Sequence, residues 1–139
     1  MAESIYGYRE GVRRPVLMKM DSSSAAIYVG DMLSLASAGY VKAAAAGDKI
    51  VGVSMQNVPT ISADGDASVL VDQSTDSIYE YPAGTGTLTQ AMVGLTCDIS
   101  GSQGLDVTAS SDDCIYIRRV DLDRATAFVS MILVPSGVV

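Results

Sequence analysis

Histidine and tryptophan are absent from this 139-residue chain, and phenylalanine occurs once, at Phe128. Without histidine, the chain lacks the side chain that titrates nearest neutrality and the commonest metal ligand. Cysteine is scarce. Cys97 and Cys114 are the only two, and their spacing is not C-x-x-C, which excludes a thiolate zinc site and a thioredoxin-type motif. They read as reduced, half-buried thiols that are able to pair only if their strands are neighbours. Positive charge is also short: nine Lys and Arg face sixteen Asp and Glu, for a formal net charge of -7. Such a surface repels nucleic acid and anionic lipid, so neither is an expected partner. No apolar run reaches membrane-spanning length, and the N-terminus has no signal-peptide pattern. The chain is expected to be made in the cytoplasm and to stay soluble or assemble there.

Catalytic signatures are missing as well. Serines are plentiful, but there is no G-x-S-x-G and no histidine to activate one. The glycines form no phosphate- or dinucleotide-binding fingerprint. The acidic pairs Asp64 with Asp66, Asp112 with Asp113 and Asp121 with Asp123 fall in turn-like stretches, where aspartate bonds its own backbone. None has the spacing of a calcium loop. The expectation is a non-enzyme with no cofactor and no metal, with Asp64 and Asp66 as the best of the weak calcium candidates. Arg118 and Arg119, adjacent in a strand, are expected to point to opposite faces and to pair with Asp121 or Asp123.

What the chain does have is small and β-branched apolar residues, 48% hydrophobic in all, broken every eight to twelve residues by Gly, Ser, Asp and Pro. Short strands are read at 16–20, 26–29, 32–35, 40–42, 50–55, 68–71, 77–81, 95–99, 105–107, 114–120 and 126–134. Gly52 inside one of them marks a bulge or a close backbone approach. Residues 82–86 read as a loop. Asp64-Gly65 is a hairpin signal. Four alanines at 43–46 are too few to nucleate a helix, whereas Thr87 to Gln90 has capping-box spacing for one short helical turn. No repeat of fixed period is visible. The predicted fold is all-β: a small β-barrel or β-sandwich of about 8–10 short strands with at most one short helix. It comprises a single β domain over residues 16–139, preceded by an extended N-terminal arm over residues 1–15.

The arm is slightly basic on an acidic body. Residues 1–20 carry four basic and two acidic side chains, and the rest five and fourteen. Gly7, Gly11 and Pro15 break any helix, and Tyr and Arg are enriched in interface cores. Tyr6, Tyr8, Arg9, Arg13 and Arg14 are the candidate partner-binding residues.

Two segments carry a family likeness. One is GDMLSLASAGYVKAAAAGDKIVGVSMQNV, residues 30–58. The other is TLTQAMVGLTCDISGSQGLDVTASSDDCIYIRRVDLDRATAFVSMIL, residues 87–133. An Ala-rich turn into GD-x-I-x-GV, a capped turn into VGLTCDI, a GLDVTAS hairpin and two final strands together resemble the capsid decoration, or head cement, proteins of tailed bacteriophages. The resemblance implies a structural virion protein on the outer capsid surface, made in the host cytoplasm and bridging major capsid subunits. It also implies self-association, with a homotrimer favoured, and an arm reaching across neighbours. The alternative is a phage tail- or fibre-associated module, or a carbohydrate-binding β module using Tyr79 and Tyr81.

Overall fold

In the computed structural model, which describes residues 7–133, eleven strands form two sheets. The first sheet takes β2 (Pro15–Lys19), β3 (Met32–Leu35), β4 (Val41–Ala43), β5 (Gly52–Ser54) and β6 (Ser68–Asp72), in the order β2-β6-β5-β3-β4. The second takes β1 (Gly7–Glu10), β7 (Ile78–Thr85), β8 (Thr96–Gly101), β9 (Gly104–Asp106), β10 (Ile115–Asp121) and β11 (Thr126–Met131), in the order β1-β7-β11-β10-β8-β9.

Each sheet closes on itself. β9 returns to pair in parallel with the second half of β7, through Ala83↔Leu105 and Thr85↔Asp106. In the first sheet, Met20, just past β2, bridges in parallel to Val41 of β4, and the Asp21 N–H donates to Val41 O at 2.8 Å. The result is two small five-stranded barrels, a closure that protects strand edges from unwanted pairing. Numbering each barrel's strands one to five, both run one-five-four-two-three and close by a parallel contact between three and one. The chain thus contains a repeat of topology, although no sequence period betrays it. β1 stands outside this repeat, added to β7 alongside the second barrel.

The two barrels share packing. Met32 and Leu33 are neighbours on β3 and so face opposite ways. Leu33 fills the first barrel with Val41, Val51, Val69, Val71 and Ile27. Met32, with Ile50 and Val53, instead joins the cluster of Tyr79, Tyr81, Ile99, Leu105, Ile115, Ile117 and Val129 in the second barrel. Each of these side chains is almost completely buried, a gain of roughly 1.5–3 kcal/mol apiece on transfer from water. Gly52 shows the close approach read from the sequence. A Cβ there would stand 2.4 Å from Val71 Cγ1 and 2.6 Å from the Asp72 carbonyl.

The all-β reading stands, with differences in detail. Eleven strands form, rather than about 8–10. Residues 26–29 make no strand, only a bridge from Ile27 to Val58. Residues 82–85, read as loop, continue β7. Pro82 sits where one side of β7 passes from β1 to β9, a break in the ladder where a missing N–H costs least. The Asp64-Gly65 turn forms, but as the tip of a long connection and not as a tight hairpin. Two single 3₁₀ turns occur, at Ser37–Gly39 and Gln90–Met92, and Thr89 caps the second without a side-chain bond.

Candidate interaction surfaces

The N-terminal residues are the first test of the partner-binding reading. Tyr6 lies outside the described residues. From Gly7 onward the chain is not a detached arm. β1 pairs antiparallel with β7, Gly7↔Glu80 and Tyr8↔Tyr79, and residues 11–14 then cross to the first barrel, where β2 pairs with β6. Gly11 makes the crossing possible. Its φ is +105°, and a Cβ would fall 2.3 Å from the Asp76 carbonyl oxygen, a position and conformation that glycine alone tolerates.

Two buried carboxylates hold this segment down. Glu80, 0% exposed, accepts from Arg9 Nε at 2.9 Å and from the Thr126 hydroxyl at 2.5 Å, and pairs with the Arg124 guanidinium at 3.2 Å. Asp72 accepts the Arg14 and Ser74 backbone N–H groups at 2.9 and 3.0 Å, the Ser77 hydroxyl at 2.7 Å and the Tyr79 hydroxyl in a short hydrogen bond. Arg13 Nε stands 3.9 Å from the same carboxylate. Burial alone would raise the Asp72 pKa, but donation from Arg14, Tyr79, Ser77 and Ser74 outweighs it and holds the group below the ordinary carboxylate value. Tyr8 packs edge-on against Tyr79, ring centres 5.9 Å apart, with Arg13 3.8 Å above its own ring.

Of the residues singled out in the sequence, then, Tyr8, Arg9 and Arg13 engage groups of their own chain, and the side chain of Arg14 is exposed. The engagement has a simple cause. Charges at the start of a chain look free in sequence because the carboxylates that take them, Asp72 and Glu80, lie some sixty to seventy residues away. A glutamate within the β-forming run Ile78 to Tyr81 was the one visible sign. What the sequence reading missed is apolar exposure in the same region. Val12 on the crossing is 76% exposed, and Leu17 on β2, opposite half-buried Leu70, is 65% exposed.

The remaining candidates resolve structurally. Tyr79 and Tyr81 are buried, and burial, with Asp72 beside Tyr79, pushes both phenols well above their usual range. Neither presents a face to a sugar, which corrects the carbohydrate-binding role assigned to them. Asp64 accepts the Ser22 N–H, Asp66 the Ala63 N–H and Asp121 the Arg124 N–H. Asp98 gathers the N–H groups of Ser111, Asp112 and Asp113. Among the described residues no three Asp, Glu or Cys side chains form a metal-holding group, and no helix is long and apolar enough to cross a membrane. Cys97 and Cys114 are free and buried, more deeply than the half-burial expected, and lie on paired or flanking positions of β8 and β10. Burial first, and nearby negative charge second, push both thiols up to about 12.

No protein-family model matches the chain, and no curated protein or solved structure matches it.

Proposed function

We propose that this chain is a structural protein of a tailed-bacteriophage head that binds the outer capsid surface and stabilises the shell by bridging major capsid subunits. The observation that carries the reading is the exposed pair Val12 and Leu17, flanking exposed Arg14 and Pro15. This apolar and cationic strip lies where the chain steps from one barrel to the other, and a solvated monomer gains nothing from exposing it. The resemblance of residues 30–58 and 87–133 to head cement proteins supplies the class of partner. Buried carboxylates lock the neighbouring backbone, so the strip is presented without a large ordering cost. Repetition over a symmetric shell turns modest single-site affinity into avidity, and preference for the expanded lattice stabilises it by mass action.

The test is capture by expanded capsids depleted of the protein. Saturation at a fixed ratio per capsid subunit is expected, with loss in V12E/L17E at unchanged melting temperature. Equal capture of that variant, or none of the native protein by any capsid state, overturns the reading. Truncation of residues 1–14 is not a clean probe, because it strips Glu80, Asp72 and Tyr79 of their partners.

A further inference from the structure

Two β-bulges stand out on the outer face of the second barrel, and both fall at arginines. On β10 the register slips between Ile117 and Arg119, so Arg118 is the extra residue. Alternation would send Arg118 and Arg119 to opposite faces, but the bulge leaves both exposed. On β1 the register slips between Tyr8 and Glu10, which makes Arg9 the extra residue and sets it over Glu80. Bulges are a device for re-aiming a side chain. Here they concentrate Arg9, Arg118 and Arg119 on a face that also holds Arg124. Four of the nine basic residues of an acidic chain therefore lie together.

Their surroundings are those of a protein interface. Arg119 stacks 4.1 Å over the Phe128 ring, and Arg118 lies 5.7 Å over Tyr116. A guanidinium held over a ring keeps N–H groups for a partner. Leu122, 53% exposed, lies on the turn that follows β10. Two of the acids nearby are already engaged. Glu80 is taken by Arg9, Arg124 and Thr126, and Asp121 accepts the Arg124 N–H. Glu10 meets Arg119 at 3.5 Å, but both side chains are more than half exposed, and such a pair holds weakly enough to be exchanged. Exposed Asp123 sits on the adjoining turn.

We propose that this arginine-aromatic face docks an acidic protein segment, one that carries carboxylates spaced among apolar side chains. The available donors fix the sign: among the described residues Arg118 meets no carboxylate and Arg119 only the exposed Glu10, and the fork geometry of guanidinium favours carboxylate recognition. The Glu80 cradle shows the same chemistry within the chain. A dense polyanion is the poorer fit, because the whole molecule carries -7 and repels it beyond the patch. The proposal does not rest on the capsid reading.

The test uses the full-length protein and a labelled synthetic peptide of glutamates interrupted by two leucines, with fluorescence anisotropy as readout. Saturable binding is expected, weakening about tenfold as salt rises from low to physiological strength. R118E/R119E should abolish it, and R118K/R119K should weaken it partly. The charge-matched K19E/K49E, on the first barrel, should bind as the native protein does. All these side chains are exposed, so melting temperatures should agree. No binding by the native protein, equal loss in K19E/K49E, or tighter binding to single-stranded DNA than to the peptide would each overturn the proposal.

Discussion

Replacing Asp72 by Asn tests whether a buried carboxylate pins the N-terminal crossing to both barrels. Asp72 is acceptor only: two backbone N–H groups and two hydroxyls donate to it, and Arg13 stands beside it. Asn preserves the shape and one oxygen, so the Arg14 and Ser74 N–H groups keep an acceptor. Its amide nitrogen, however, meets the Ser77 and Tyr79 hydroxyls as a competing donor, and the charge opposite Arg13 is gone. Two charge-assisted bonds are weakened at roughly 1.5–3 kcal/mol each before relaxation. Hydroxyl rotation recovers part of this, which leaves a destabilisation of about 3 kcal/mol, or roughly 10 °C in melting temperature for a chain of this size. The pH dependence carries the sharper test. The folded-state pKa is depressed below 3.8. The stabilisation from ionised Asp72 is therefore complete above that value and is lost as pH falls through the lower, folded-state value. Thermal melts followed by circular dichroism should show the full gap between native protein and Asp72→Asn near neutrality and a narrowing gap on acidification below 3.8. A gap that stays constant through that acid limb, or no gap at neutral pH, would refute the reasoning.

Gly11→Ala should cost at least about 2 kcal/mol, from positive φ and from the overlap with the Asp76 carbonyl. It should release β1, seen as tryptic cleavage after Arg9 or Arg13 that the native protein resists; equal resistance would count against the crossing as described. Glu80→Gln leaves Arg9, Arg124 and the Thr126 hydroxyl with one acceptor between them. The expected loss is about 2 kcal/mol, discounted because both arginines are partly exposed. A double-mutant cycle with Arg124→Ala should show coupling of about 1 kcal/mol, and strict additivity would deny the contact. Cys97 and Cys114, at about 12, hold almost no thiolate near neutral pH. A chromogenic disulfide should label them on the order of a hundredfold faster in guanidinium than in the native state, and rapid native labelling would disprove their burial.

Much of the fold was written locally. Small and β-branched residues interrupted by glycine and aspartate fix strands and turns within a few residues of themselves, so the all-β class and most of the strands were legible. Gly52 announced its close contact because only a missing side chain permits one. The strand endings at residues 85 and 131, by contrast, depend on which neighbour each segment finds. Closure of both barrels depends on parallel contacts between strands that local pattern does not link. The repeat of strand order is likewise a property of pairing and leaves no mark on composition.

The candidate surfaces divide in the same way. Sequence alone determined the supply of chemistry: few cations, no histidine, and arginines gathered near the N-terminus and at 118–124. It did not determine which of those charges are spent within the fold. Arg9 and Arg13 look available in sequence and are drawn to Glu80 and Asp72. Arg118 and Arg119 look opposed and are brought to one face by a bulge. Tertiary structure decides these cases because side-chain direction in a strand follows register, and register is set by distant partners and not by the residues themselves.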